Sequence, residues 1–304
     1  MNKMQKTITL IILFLTIAGT NKVMAQLDPM GSQYFLNQYL ANPAMAGMDE
    51  GLTLNGAVRK QYSTIPGAPS TQTLTAGYQM NSRVGWGLNL YNDAAGLIRK
   101  TRVVGSYAYH LPLSNENNQL HFGISLGFMN ERIGYENVDG DQGDVVIGRF
   151  NERDTYVDGD FGAAYTSKHL SVQAAVPNMK SFFGTDDNNT IDRSTFFTSL
   201  SYKWFLGSTM ASTTVEPKVV YRGVKGHDNL LDAGANLITA NNQLIFTGMY
   251  HSSQSATFGM GVNINKALTI LGMYTTETSA MQRYANGNFE VGLKYQVLKN
   301  KQLD

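Results

Sequence analysis

The chain contains no cysteine, only 7 prolines, and charged side chains at just 15% of its 304 positions. The absence of cysteine excludes a disulfide scaffold, thiolate metal sites, a cysteine nucleophile and lipidation on cysteine. The charged fraction is well below the roughly 25% of ordinary soluble domains, and no long block of like charge is present to form a disordered tail. The formal net charge of +1 offers no basic surface for nucleic acid.

The N-terminus has the pattern of an export signal. Two lysines precede an apolar run over residues 8–18, and Val23 and Ala25 supply the small-x-small pattern of a cleavage site. An uncleaved membrane anchor is the alternative, but the run is shorter than the ~20 residues that a spanning helix needs. We therefore predict that residues 1–25 are a signal peptide cleaved after Ala25.

Beyond the signal, apolar residues recur at every second position over most of the chain. In residues 120–128, for example, Leu, Phe, Ile, Leu and Phe alternate with His, Gly, Ser and Gly. This is the periodicity of a strand, in which successive side chains point to opposite faces. About 14 such segments follow one another: 51–60, 71–81, 84–92, 99–111, 119–131, 157–167, 169–176, 194–206, 211–223, 229–240, 242–251, 255–264, 267–276 and 287–298.

The length of these segments and of their links predicts an outer-membrane β-barrel. Most segments have about ten residues, which is what a tilted strand needs to cross a bilayer. The even-numbered links are short, as periplasmic turns are, and the odd-numbered ones are mostly longer, as external loops are. The long links are 61–70, 93–98, 130–156, 177–193 and 277–286.

The aromatic residues near the strand ends are placed as interfacial girdles would be. They are Tyr62, Tyr78, Tyr91, Tyr109, Trp204, Tyr221, Tyr250, Tyr274 and Tyr295. A large soluble β-sandwich, whose strands also alternate, is the less favoured alternative. We predict an all-β protein in the cell outer membrane: an antiparallel transmembrane barrel over residues 51–298, an N-terminal periplasmic or plug segment over 26–50 and a tail over 299–304.

Several charged residues lie on the polar parity of their strands, opposite the apolar stripe. In a barrel they face a wet lumen and avoid the ~2–4 kcal/mol that a basic residue costs at the lipid midplane. There they could line a pore, pair with one another or hold a plug. These candidate lumen charges are Arg59, Arg102, Lys203, Glu216, Lys218, Arg222, Glu290 and Lys294.

No motif in the chain predicts an active site. Ser125 lies in a G-x-S-x-G pattern, but that pattern needs a sharp turn between a strand and a helix, whereas Ser125 is in the middle of a predicted strand. The acidic loop 136–160 contains residues 139–144, D-G-D-Q-G-D, which could surround Ca²⁺ but lack the EF-hand spacing. The five histidines are scattered. We predict neither a catalytic residue nor a cofactor, and leave calcium binding open.

The segment after the predicted cleavage site departs from alternation. Ser32 could cap a short helix that continues to Leu40 and stops at Asn42-Pro43. A second distinctive stretch follows the first strand, with R-x-Q-Y at residues 59–62 and P-G-A-P at 66–69. The motif residues of the two stretches are Ser32, Gln33, Tyr34, Asn37, Asn42, Pro43, Ala44, Gly47, Arg59, Gln61, Pro66, Gly67 and Pro69.

These motifs, in this order, resemble the PorP/SprF family of outer-membrane proteins of the Bacteroidetes type IX secretion system. The resemblance covers almost the entire mature chain, with Tyr62 where Trp is usual. It implies a non-enzymatic role in secretion, with the type IX machinery and a secreted adhesin-like substrate as partners, and a link to gliding motility. The tail over residues 299–304 is a further departure from the family pattern. The alternative function is a transport channel, since barrels of this size resemble long-chain fatty-acid transporters.

Overall fold

The protein is seen in a computed structural model that describes residues 33–62, 67–113, 118–133, 155–179, 194–207, 213–224, 229–265, 267–276 and 287–297. The strands are β1 (Leu52–Lys60), β2 (Ser70–Asn81), β3 (Val84–Ala95), β4 (Ile98–Pro112), β5 (Gln119–Ile133), β6 (Tyr156–Thr166), β7 (Leu170–Val176), β8 (Ser194–Tyr202), β9 (Trp204–Leu206), β10 (Thr213–Val224), β11 (Leu230–Thr239), β12 (Leu244–His251), β13 (Ser255–Ile264), β14 (Leu268–Thr275) and β15 (Asn288–Val297).

The strands form one antiparallel sheet that closes on itself. Apart from β8 and β9, which do not pair with each other, each strand pairs with its neighbours in the chain. β1 pairs with β15 along its whole length, from Leu52 opposite Val297 to Lys60 opposite Phe289. Segments β8 and β9 both pair with β10, which also pairs with β11. They therefore form a single strand of a closed 14-stranded barrel, and the predicted fold is confirmed.

The division between β8 and β9 has a local cause in the facing strand. The β8 ladder with β10 ends at Lys218, and the β9 ladder begins at Val215. Pro217 lies between them and has no backbone N–H to donate, so it weakens the ladder at this position. The sequence pattern predicted one unbroken strand over 194–206, because alternation does not record a missing donor.

The two faces of the barrel differ in chemistry as the alternation predicted. The outer face carries exposed apolar side chains, including Leu54, Val58, Leu74, Leu88, Val103, Ile124, Leu126, Phe128, Leu200, Phe258, Met260 and Val291. The inner face is polar, with buried Thr53, Asn55, Thr75, Asn89, Ser106, Gln173, Ser199, Asn236, Thr247 and Thr257. An apolar outer band with a polar interior suits a barrel that spans a lipid bilayer. No helix among the described residues is both long and apolar enough to cross a membrane.

Two details of the predicted strands and girdles differ in the structure. The link expected over 93–98 is a tight hairpin, because β3 continues to Ala95 and β4 begins at Ile98, with Gly96 at a φ of 58° in the turn. Tyr91 points into the barrel and is buried, whereas Tyr78, Trp204, Tyr250 and Tyr295 are exposed outside. Tyr91 has the parity of the inner face, and a tyrosine at a strand end can face either way.

The N-terminal segment does not form the predicted helix. It contains two short 3-10 turns, η1 (Gln38–Leu40) and η2 (Pro43–Met45). Pro43 begins the second turn instead of ending a helix, because the missing N–H of proline costs nothing at a first helical position. The Asn42 side chain caps that turn by accepting a 3.0 Å hydrogen bond from the Ala44 backbone N–H.

Candidate functional site: a plug inside the barrel

Residues 33–50, called the plug below, lie inside the barrel and contact strands around its circumference. Gln33 Nε2 donates to Glu290 Oε1 on β15 at 2.6 Å, and Asn37 Nδ2 donates to Thr75 Oγ1 on β2 at 3.0 Å. Other plug contacts reach β4, β6, β7, β10 and β11. The plug therefore bridges wall segments that are far apart along the chain.

Tyr34 is the most buried aromatic anchor of the plug, with 1% of its surface exposed. Its hydroxyl donates to Asp232 Oδ2, which also accepts from Arg222 Nη2 at 2.8 Å, while Asp232 Oδ1 accepts from His251 Nδ1 at 2.8 Å. Burial, followed by the charge of Asp232, raises the pKa of Tyr34 well above its ordinary value, so the phenol stays a donor. One carboxylate thus joins the plug to β10, β11 and β12.

Lys218 binds the plug backbone at Tyr34. Its ammonium, 2% exposed at the side chain, donates to the Tyr34 carbonyl at 2.8 Å and lies 3.5 Å from Glu216 Oε1. It also lies 4.6 Å from the centre of the Phe35 ring, within the range of a cation–π contact. Lys203, at the rim, is 3.9 Å from Glu216 Oε2. The buried ammonium is therefore neutralised and fixed on the plug.

Arg59 and Glu290 face each other across the β1–β15 ladder, and both are buried. Because Gln33 donates to Glu290, the first described residue of the plug joins this pair. Arg102 lies elsewhere on the wall, where its Nη2 is 2.6 Å from Asp160 Oδ1, and Asp160 also accepts from the Asn178 backbone N–H. These charges all lie inside the barrel, and they are paired there.

The middle of the plug packs against glycines of the wall. Ala44 is completely buried, and a Cβ added at Gly123 of β5 would lie 2.3 Å from the Ala44 backbone nitrogen. A Cβ at Gly162 of β6 would lie 2.0 Å from Asn42 Oδ1. The wall glycines that a Cβ would drive into the plug are Gly85, Gly87, Gly123, Gly162 and Gly292. They form an imprint of the plug, because only a residue without a side chain allows this approach.

The plug leaves the lumen at the end of the barrel that carries the short links, called the turn end. Gly47 has a φ of 66°, and a Cβ there would lie 2.6 Å from the Tyr78 carbonyl oxygen, so both its backbone and its surroundings require glycine. Nearby, Asp49 Oδ2 lies 2.7 Å from Lys294 Nζ. The Ala46 carbonyl accepts a 3.2 Å hydrogen bond from His110 Nε2.

Two histidines that seemed unrelated in the sequence meet on the wall beside the plug. The Nδ1 atoms of His110 and His121 lie 2.8 Å apart, and His121 Nε2 lies 2.7 Å from Thr166 Oγ1. Tyr39, in the plug, hydrogen-bonds Ser106, whose hydroxyl in turn lies 2.8 Å from that of Ser125. Burial raises the pKa of Tyr39, so it too remains a hydroxyl.

The remaining motif residues belong to the β1–β2 hairpin, at the opposite end from the plug exit. The Gln61 backbone N–H donates to the Pro69 carbonyl at 2.9 Å, and the Gly67 carbonyl accepts from the Gly96 N–H of the next hairpin at 3.0 Å. Gly67 has a φ of 73°. This part of the motif thus ties two hairpins together. Ser32 and Pro66 lie outside the described residues.

Two cavities of about 280 and 460 Å³ open beside the plug toward the turn end. They share the plug residues Phe35 and Leu36 and the wall residue Lys294. The smaller cavity is lined by Asn37 among others, and the larger cavity is lined by several carboxamide side chains such as that of Asn236. The lumen around the plug is therefore not fully packed.

Sequence reasoning missed Asp232, His251 and the paired histidines, because their contacts join residues that are distant in the chain. The sequence did contain a pattern that indicates the imprint, because Gly85, Gly123 and Gly292 all occupy the inward-facing parity of their strands. Ser125 is buried in the middle of β5, where its hydroxyl hydrogen-bonds that of Ser106. It does not lie at the sharp turn that the G-x-S-x-G pattern needs. In the described parts of the chain, no three His, Asp or Glu side chains are grouped to hold a metal ion; residues 139–144 lie outside them.

Three of the solved structures that are similar to this chain are named as an outer-membrane protein or a porin. Acinetobacter baumannii Omp33 has a TM-score of 0.48 and 10% identity, over 83% of this chain and all of that one. The KdgM porin has a TM-score of 0.40 and 9% identity, over 81% of this chain and 99% of its own. A triple mutant of Rhodopseudomonas blastica porin has a TM-score of 0.36 and 10% identity, over 81% of this chain and 99% of its own. No curated protein matches the chain.

A family model decides the relationship. The model for "Type IX secretion system membrane protein PorP/SprF" matches residues 23–295, a range that includes the plug, the imprint and the described barrel as far as Tyr295. The chain therefore belongs to the PorP/SprF family and is an outer-membrane component of type IX secretion.

Proposed function

We propose that this barrel acts as a plugged scaffold in type IX secretion, which helps to export a partner protein and holds it at the cell surface. Membership in the family implies association with the secretion machinery. The observation that carries the scaffold proposal is the plug: it is fixed to the wall by Tyr34 on Asp232 and by Lys218 on the Tyr34 carbonyl. A lumen occupied by a fixed segment suits anchoring better than solute flow.

The partner we propose is a large adhesin-like secreted protein, with gliding or adhesion as the cellular role. The end of the barrel opposite the plug exit, called the loop end, carries the longest links, 134–155 and 177–193. If short turns face the periplasm, as in other outer-membrane barrels, these links face the outside. Residues 134–154 and 180–193 lie outside the described structure, and their role in binding the partner is part of the proposal.

We further propose that the protein is not an enzyme. The only catalytic pattern in its sequence, around Ser125, is mid-strand, and the Ser125 hydroxyl is already engaged by Ser106. The charges on the lumen side have partners. Arg222 pairs with Asp232, and Glu216 pairs with Lys218, which also donates to the plug. Their arrangement supports a structural role.

Deletion of the gene, followed by surface labelling of an adhesin encoded next to it, tests the scaffold proposal. We expect the adhesin to disappear from the cell surface and to reappear when the wild-type gene is restored. Restoration with a variant that lacks residues 180–193 should return the barrel to the membrane but not the adhesin to the surface. Normal adhesin display in the deletion strain would contradict the proposal.

Transport is the second candidate, and one observation favours it: the cavities of about 280 and 460 Å³ leave part of the lumen unfilled. A solute path would require these cavities to connect past the plug. Electrical conductance through the purified barrel distinguishes the two functions, because a scaffold with a fixed plug carries little current.

A further inference from the structure

A row of basic residues crosses the outer surface of the barrel at the loop end. Lys60, Arg99 and Arg132 are exposed on β1, β4 and β5. The ladders align them: Lys60 is opposite Ser70, Ser70 opposite Ala94, Ala94 opposite Arg99, and Arg99 opposite Arg132. Lys60, Arg99 and Arg132, called the basic row below, therefore lie on one line of opposed residues that crosses five neighbouring strands.

The basic row belongs to the outer face and borders its apolar band. On each of the three strands, the exposed apolar residue nearest the row has the same parity as the basic one, so both point outward. These apolar residues are Val58, Val103 and Phe128, which are 55%, 39% and 60% exposed. The row thus lies where the lipid-facing surface ends.

A belt of neutral polar side chains separates the apolar band from the basic row. It contains Gln72, Asn92, Thr101 and Asn130, and Thr101 Oγ1 donates to Asn92 Oδ1 at 3.1 Å. Hydroxyl and carboxamide groups at this level indicate the height of lipid headgroups. A basic residue on the outer face costs much less near the interface than at the lipid midplane.

No acid of the described structure neutralises the row. The nearest acids face inward, where Glu131 lies 3.8 Å from Lys100 and Asp93 accepts from Thr71. Arg99 and Arg132 are directly opposite each other across the β4–β5 ladder. Two like charges in that position destabilise a sheet, and an anion bound between them would relieve the repulsion.

We propose that the basic row binds the phosphorylated headgroup of a lipid in the leaflet at the loop end. Guanidinium groups match phosphate oxygens in a two-pronged geometry. Neighbouring strands are about 4.8 Å apart, so the row spans roughly 19 Å, which allows contact with more than one phosphate of the same headgroup. The apolar band on the far side of the polar belt is where the acyl chains of that lipid would lie. This site is independent of the scaffold function.

The test measures lipid binding to the full-length mature barrel in detergent, by native mass spectrometry. The probes are diphosphorylated lipid A, its dephosphorylated form and inorganic phosphate. We expect Arg99→Gln with Arg132→Gln to weaken binding of diphosphorylated lipid A at least tenfold. The matched control removes two exposed charges at the turn end, Arg83→Gln with Lys168→Gln, and should change binding less than twofold.

A second pair, Arg99→Lys with Arg132→Lys, keeps the charge and should recover part of the affinity; heat-dependent mobility on gels confirms that each variant is folded. Three results would overturn the proposal. The Gln pair could bind diphosphorylated lipid A as tightly as the wild type. The dephosphorylated lipid could bind equally well. Inorganic phosphate at matched concentration could displace the lipid completely, which would indicate a site for free anions.

Discussion

At the scale of residues, the plug is held by a few side chains whose polar atoms are buried and hydrogen-bonded to the wall. Asp232 is completely buried and receives three donors, from Tyr34, Arg222 and His251. Of the three, only Tyr34 belongs to the plug. In this network the phenolic hydroxyl of Tyr34 is therefore the group that joins the plug to the wall, whereas the other two donors join strands of the wall to each other.

We expect Tyr34→Phe to lower the free energy of unfolding by about 2 kcal/mol, because a hydrogen bond to a charged group contributes roughly 1.5–3 kcal/mol. Arg222 still pairs with Asp232 and His251 still hydrogen-bonds it, so the barrel should fold. Urea unfolding in detergent micelles measures the change. The control, Tyr250→Phe, removes a hydroxyl from a side chain that is 56% exposed on the outer face, and should shift stability by less than about 0.5 kcal/mol. Equal effects of the two variants would contradict the anchoring role of Tyr34.

At the scale of elements, the plug and the wall fit because glycines stand where the plug comes closest. Gly123 of β5 faces the plug, whereas Gly105 of the neighbouring β4 faces outward, and a Cβ on Gly105 would meet nothing within 4 Å. The two positions are a matched pair, with the same residue in paired strands and opposite surroundings.

Gly123→Ala should destabilise the protein by about 1–3 kcal/mol, as overpacking does, and should make residues 33–50 more susceptible to added protease. Gly105→Ala should leave both properties unchanged. The measurements are urea unfolding and limited proteolysis followed by mass spectrometry. If Gly123→Ala behaves like Gly105→Ala, the plug does not rest on β5 as the structure has it.

The strands were predictable from sequence, and the plug was not, for a physical reason. Lipid outside and polar contacts inside impose alternation on segments such as 120–128, so the order and faces of the strands could be read directly. The plug has no periodicity, because each side chain meets a different strand; Tyr34 and Asp232 are 198 residues apart in the chain. The break at Lys203 and the 3-10 turn at Pro43 depend on single backbone donors, which hydrophobic patterns do not reveal.

At the scale of the whole molecule, charge and glycine content have one explanation. The interior charges pair with each other or with the plug, as Lys218 does with the Tyr34 carbonyl, and the inward glycines make room for it. On the strands as far as the structure describes them, the outer face carries only neutral and apolar groups up to the basic row. A low charged fraction and many glycines are therefore what a plugged barrel in lipid requires.

We have proposed that the plug closes a barrel that serves secretion as a scaffold. Single-channel conductance in planar bilayers measures this closure, with the mature wild-type protein compared with a variant that lacks residues 33–45. We expect almost no current through the wild type and a stable open pore in the variant, since the remaining 14-stranded barrel would have an unfilled lumen. A large, stable conductance of the wild type, unchanged by removal of the plug, would show that the plug does not close the barrel and would favour transport.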